Sequence, residues 1–144
     1  LLCTDGAFLR INIPSFVFSA DQSDFSGLSA DIVAANTTLI EELAVIFKRL
    51  SEYSIRIEGH ANNTGKISKH SKARIDLEEN KEVVPLALAR AQTLRNMLIK
   101  NGINKDRITV ISLGSSSPVV SFDDASNRWK NRRVEFVLSK GNKQ

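Results

Sequence analysis

Tyr53-Ser54-Ile55-Arg56-Ile57-Glu58 followed by Gly59-His60-Ala61-Asn62-Asn63-Thr64-Gly65 is the stretch on which the fold turns. The first six residues alternate apolar and polar, the period of a strand with one buried face. The next seven are rich in Gly and Asn, the residues of a turn. Downstream, Lys66 to Glu82 is charge-dense with no apolar period, which reads as a long mobile loop insertion over 66–82. Pro85 then suits the first turn of a helix, where its missing N–H is not needed, and that helix runs to Asn101 and stops at Gly102. Ile108 to Leu113 reads as the next strand, Gly114 to Pro118 as a loop, Asp124 to Lys130 as a short helix and Val134 to Leu138 as the last strand. Upstream, Leu39, Ile40, Leu43, Ile46, Phe47 and Leu50 recur at helical spacing, predicting a helix from about Asn36 to Glu52 capped by Asn36 or Thr37. Before it, Phe8 to Ala20 reads as a strand, with Pro14 placing it at an edge or a bulge, and Asp21 to Gly27 as a polar turn.

The order is β-α-β-α-β-(α)-β, an α/β chain of the α+β two-layer sandwich kind. Each long helix has one apolar stripe, so both are expected on one face of a mixed sheet of about four strands. One domain over 1–144, with its core from about 16 to 138, accounts for the whole chain. With Cys3 alone, no internal disulfide is possible; Leu1-Leu2-Cys3 has a faint likeness to a lipoprotein processing site, but an ordinary thiol is the stronger reading. No run approaches the roughly 18 apolar residues of a membrane span, and no signal segment opens the chain, which begins at Leu1 as a mature form or fragment does. Charge is uneven: residues 1–65 hold 4 basic and 8 acidic side chains, residues 66–144 hold 16 and 8, so the second half carries +8. Such a half fits an acidic partner or a plainly solvated surface.

Two features carry chemistry. Arg90 lies on the second helix four residues from both Leu86 and Leu94, and steps of four keep them on one face. A cation there must be paired or reach an opening, or sit at the stripe's edge with its head in water; spacing favours the edge. The turn Gly59 to Gly65 gathers polar groups at a strand's C-terminal end, where α/β folds place ligands, or is a plain connection. Catalysis is not indicated: His60 and His70 have no Ser, Asp or Cys at a recognisable spacing, and no metal-ligand pattern appears. Gly59 to Lys66 imitates a phosphate loop but has five residues between its glycines and Ile67 at the hydroxyl position. Nucleic-acid binding through Arg128, Lys130, Arg132 and Arg133 beside Trp129 is a weaker reading than a strand end whose cations pair with Asp123, Asp124 and Glu135.

Four motifs in order resemble the OmpA-like family of peptidoglycan-binding domains. Gly59 to Gly65 is similar to its G-H-T-D-x-x-G turn, and Leu86-Ala87-Leu88-Ala89-Arg90-Ala91 to its L-S-x-x-R-A helix start. Asn101-Gly102-Ile103 with Arg107 and Gly114 resembles K-G-I…R-I…G-x-G, and Arg128-Trp129-Lys130-Asn131-Arg132-Arg133-Val134-Glu135 resembles R-x-x-N-R-R-V-E. The resemblance implies a periplasmic module, outer-membrane associated through its parent protein, that grips the peptide stem of peptidoglycan without catalysis or cofactor. In the family the turn's Asp takes the ammonium of a diamino acid, often diaminopimelate, and the helix Arg its carboxylate. By position Arg90 is then the carboxylate clamp, Asn62 holds the Asp position, and Asn131 and Arg132 are secondary contacts, while Arg128 and Arg133 are salt-bridged or solvated.

This chain departs from the pattern at Asn62 for Asp, Ala61 for Thr, Ala87 for Ser and Val83 for an Asn seven residues before Arg90. An amide facing an ammonium is worth about 0.5–1.5 kcal/mol against about 1.5–3 for a charged partner, so binding is expected to weaken about 5- to 30-fold. On that view Asn62→Asp tightens binding. The alternative is a degenerate OmpA-like domain that serves as a structural module or binds other envelope proteins.

Overall fold

The computed structural model describes residues 2–5 (backbone only), 8–11 and 16–140. β3 (Tyr53–His60) forms the centre, paired on one side with β4 (Ile108–Gly114) in parallel and on the other with β5 (Val134–Lys140) antiparallel. β5 continues to β2 (Phe8–Ile11), and β2 to β1 (Leu2–Asp5), both antiparallel, giving the order β1-β2-β5-β3-β4. The sheet thus holds a fifth strand beyond the four expected, an edge hairpin arm too short and too near the N-terminus to show a period.

A parallel pair needs a crossover, and α4 (Val84–Lys100) supplies it between β3 and β4. α1 (Ala30–Arg49) lies beside it on the same sheet face, as both stripes require. Ile40, Leu43 and Phe47 from α1 meet Leu94 and Leu98 from α4 over Ile55, Ile57, Val134, Phe136 and Leu138 of the sheet, all buried. Phe136 sits 5.7 Å from Phe47 and 6.1 Å from Phe16, ring to ring. Each such side chain contributes about 1.5–3 kcal/mol by leaving water. Arg107 closes the C-terminal end of α1, its guanidinium donating to the carbonyls of Phe47 at 2.9 Å and Leu50 at 2.7 Å.

Three sequence expectations are corrected. α1 begins six residues early, with Ser29 accepting from the Ile32 N–H as its cap. Asn36, expected to cap it, is buried mid-helix instead, its amide donating to the Val17 carbonyl at 3.0 Å and accepting from the Val17 N–H at 3.4 Å. That pairing explains the second correction: residues 16–19 are not strand, because a side chain on α1 takes the place of a neighbouring strand, while Phe16 and Phe18 still point into the core. Pro14 lies outside the described residues.

The third correction concerns Lys66 to Glu82, which is helical rather than a loop: α2 (Thr64–Ile67), α3 (Lys72–Glu78) and a widened π turn (Glu79–Val83) running straight into α4. The widening falls where Pro85 has no N–H to give and its ring crowds the carbonyl four residues back. α3 buries no residue, so it has no apolar stripe to be read. Carboxylates dock it instead: Glu78 accepts from the Thr64 N–H at 2.8 Å and the Gly65 N–H at 2.9 Å, at the start of α2. Glu79 accepts from the Asn63 amide at 3.0 Å and from the Ser115 N–H and hydroxyl. Burial pushes the Glu79 carboxyl up, but those bonds and nearby Lys66 outweigh it and hold the group below its ordinary range.

Candidate ligand cleft

The end of β3, the turn at residues 19–22, the first turns of α4 and the segment before β5 converge on one cleft of about 390 Å3, lined among others by Asp21, Asn62, Leu86, Arg90, Trp129 and Arg132. Gly59 allows the convergence. A Cβ there would lie 1.9 Å from the Ala87 carbonyl oxygen, so only glycine lets α4 cross the strand this closely. Arg90 is one turn further along that helix.

Arg90 is 0% exposed, which overturns the reading of spacing that puts its head in water. Its guanidinium lies 5.4 Å from the Phe18 ring, with Nε donating to the Gln22 carbonyl at 2.9 Å and Nη2 to the Ser19 carbonyl at 3.1 Å. Nη1 has no partner in the protein. Burial, aided by the charge of Arg132 and opposed by Asp21, brings its pKa down to about 10, which still leaves a full cation at neutral pH. A buried guanidinium with one idle fork is costly to hold and suits an anion arriving from the cleft. Half-buried Arg132 adds a second such group, its Nε likewise without a partner and its pKa lowered by burial against the pull of Asp21.

Asn62 is half-buried on the cleft wall. Its amide donates to the Arg128 carbonyl at 2.9 Å, and its oxygen accepts from the Asn131 amide at 3.0 Å. One N–H and one lone pair remain for a ligand. Asn131, expected as a secondary contact, is corrected to a structural role: 1% exposed, it also donates to the Val120 carbonyl and accepts from the Val119 and Val120 N–H groups, using all four of its bonding positions. These contacts fix which way both amides point. Asn131 must turn its oxygen to two N–H groups, so its nitrogen faces Asn62, whose own nitrogen must face a carbonyl. A carboxylate at 62 could not donate there. Asn62→Asp is therefore expected to lower stability by about 1–3 kcal/mol, by setting an anion against the Arg128 carbonyl. Thermal melts should show the loss at neutral pH and its relief in acid, where a protonated side chain donates again; an unchanged melt would mean the Arg128 contact contributes nothing.

The other departures act together. Ala61, Val83 and Ala87 are each buried and form one small apolar cluster beneath the cleft, so three polar positions have become a dry contact. Arg128 lines the cleft but donates Nη1 to the Phe122 carbonyl, and Arg133 faces away to pair with Glu135 at 3.1 Å. Asp21, which sequence reading left in a plain polar turn, is the residue it missed: it is the acidic member of the lining.

On the opposite sheet face, His60 lies 3.0 Å from Glu135, and Glu58, His60 and Glu135 bring ligand-type atoms within 4.8 Å of one another. A divalent ion would have to displace Arg10, 2.6 Å from Glu58, Arg56 at 3.0 Å and Arg133, whose three charges already exceed the two carboxylates. The cluster is an ion-pair network, in which the His60 contact and the neighbouring guanidinium of Arg133 hold the Glu135 carboxyl below its ordinary range against burial.

The sequence profile of the OmpA family matches residues 24–132. The chain belongs to the OmpA family. Among OmpA-family relatives, it is 32% identical over 129 residues to the peptidoglycan-associated lipoprotein of Mesorhizobium japonicum, covering 90% of this chain and 66% of that protein. It is 27% identical over 115 residues to the peptidoglycan-binding protein ArfA of Mycobacterium tuberculosis, covering 80% of this chain but only 31% of ArfA. The crystal structure of the periplasmic domain of Helicobacter pylori MotB matches with a TM-score of 0.72 at 26% identity, over 97% of this chain and 88% of that domain. The OmpA-like fold is thereby shown, together with membership of a family whose named relatives bind or associate with peptidoglycan. No helix among the described residues is long and apolar enough to cross a membrane.

Proposed function

We propose that this domain is a non-covalent peptidoglycan-binding module of the bacterial cell envelope, working on the periplasmic side and taking a diamino acid of the peptide stem into the cleft. One observation carries the reading: Arg90, which lines the cleft, is fully buried, holds two backbone carbonyls and keeps Nη1 without a partner. Arg90 is the carboxylate clamp, Arg132 the second cation beside it, and Asn62 offers its remaining N–H and lone pair from the wall. The aromatic face of Trp129, 43% exposed at the rim, suits the aliphatic part of the stem. Nothing in this scheme makes or breaks a bond, and it needs no cofactor. The names of the relatives, which speak of binding and association, support the same reading.

Sedimentation with intact sacculi tests it. The protein is expected to pellet with sacculi, and free diaminopimelate in excess is expected to return it to the supernatant. Failure to pellet would favour the degenerate domain with protein partners. That alternative draws on the committed amide of Asn62 and the dry Ala61–Val83–Ala87 contact.

A further inference from the structure

The cleft holds an anion from a part of the chain remote from the motif turn. Asp21 lines it from the turn before α1, together with Arg90, Arg128 and Arg132. Its backbone lies in the left-handed region at φ 60°, which a non-glycine residue adopts only where the surroundings hold it. Arg90 does the holding, since the two carbonyls it grips, Ser19 and Gln22, bracket Asp21 on either side. The same guanidinium that waits for an anion thus sets the position of a carboxylate at the mouth of the same cleft.

That carboxylate is unspent. Among the described residues it has no cation within 4.0 Å, although Arg90 and Arg132 both feel its charge. The gap leaves room for a group that joins the two signs. Asn62, where a turn carboxylate would stand, cannot supply the anion, because a carboxamide carries no charge, and two of its bonding positions are already taken by Arg128 and Asn131.

We infer that Asp21 is the ammonium-binding carboxylate of this cleft and that the group recognised is an amino-acid zwitterion, its carboxylate on Arg90 and Arg132 and its ammonium on Asp21. The inference rests on the peptidoglycan reading above and names the residue that gives it specificity. A ligand with the carboxylate alone would satisfy Arg90 but face an unpaired anion at Asp21. A ligand with the ammonium alone would leave Nη1 of Arg90 idle.

Calorimetric titration with two probes separates the possibilities: meso-diaminopimelate, and pimelate, which has the same carbon chain and carboxylates without the amines. Asp21→Asn is the variant of choice, because Asn also tolerates the left-handed backbone, so charge is removed and geometry kept. The wild type is expected to prefer diaminopimelate, and Asp21→Asn to weaken diaminopimelate about 5- to 30-fold while leaving pimelate equal or slightly tighter. A variant that keeps the wild-type preference overturns the role of Asp21, and the cell-wall reading then stands or falls on sacculus sedimentation alone. A wild type that sediments with sacculi but does not distinguish the two probes also overturns the inference. A wild type that neither sediments nor binds either probe removes the reading and the inference together.

Discussion

Arg90→Ala is expected to abolish sedimentation with sacculi and to lower the melting temperature, because one side chain performs both jobs. Two of its donors hold the Ser19 and Gln22 carbonyls, and a third, Nη1, is buried without a partner in a residue that lines the cleft. Losing the charge-assisted contact to a ligand carboxylate removes about 1.5–3 kcal/mol of binding, about 10- to 150-fold in affinity. Losing the backbone contacts and filling volume costs about 1–3 kcal/mol of stability, offset in part because a desolvated cation has gone. For a domain of this size that is a fall on the order of 3–10 °C. Arg90→Lys separates the two roles. It keeps the charge but has no planar fork to span both carbonyls and a carboxylate, so it should retain more stability than Arg90→Ala and still bind poorly. Full sedimentation of a folded Arg90→Lys or Arg90→Ala protein would show that the cleft is not where the cell wall is held.

The second large effect is expected far from any ligand contact. Gly59→Ala places a methyl 1.9 Å from the Ala87 carbonyl oxygen and 2.6 Å from its carbon, and both are backbone atoms that no rotamer change can move aside. α4 must shift away from β3, loosening the core contacts of Ala91, Leu94 and Leu98 further along it. Overpacking against backbone costs about 3 kcal/mol or more, so the melting temperature should drop by roughly 10 °C. Because Ala87 precedes Arg90 by one turn, sacculus binding should weaken in the same variant even at temperatures where it is folded. A melt within about 1 °C of wild type would mean that strand and helix are not held at this separation.

The two predictions divide what was legible from what was not. The alternation of Tyr53 to Glu58 and the stripe of α4 are local records of burial, so the chain alone determined where β3 and α4 lie, that both long helices share a sheet face, and, through four motifs in order, the OmpA family. Periodicity reports burial and nothing else. It therefore passed over α3, which is docked by Glu78 and Glu79 and buries no side chain, and it misplaced Arg90, whose burial is made tolerable by carbonyls 68 and 71 positions away in sequence. The identity of residue 62 was plain from the start, but its meaning was not. Only contacts with Arg128 and Asn131, 66 and 69 positions on, turn an apparent loss of charge into a committed amide. Asp21 shows the same limit most sharply. An acid in a polar turn that also holds Asp24 carries no signal in the chain, and it reaches the cleft lining because Arg90 holds the carbonyls on either side of it. Hydrogen bonds between residues so far apart leave no trace in local pattern, so the fold was written in the sequence, and the partners of each polar group were decided by the tertiary structure.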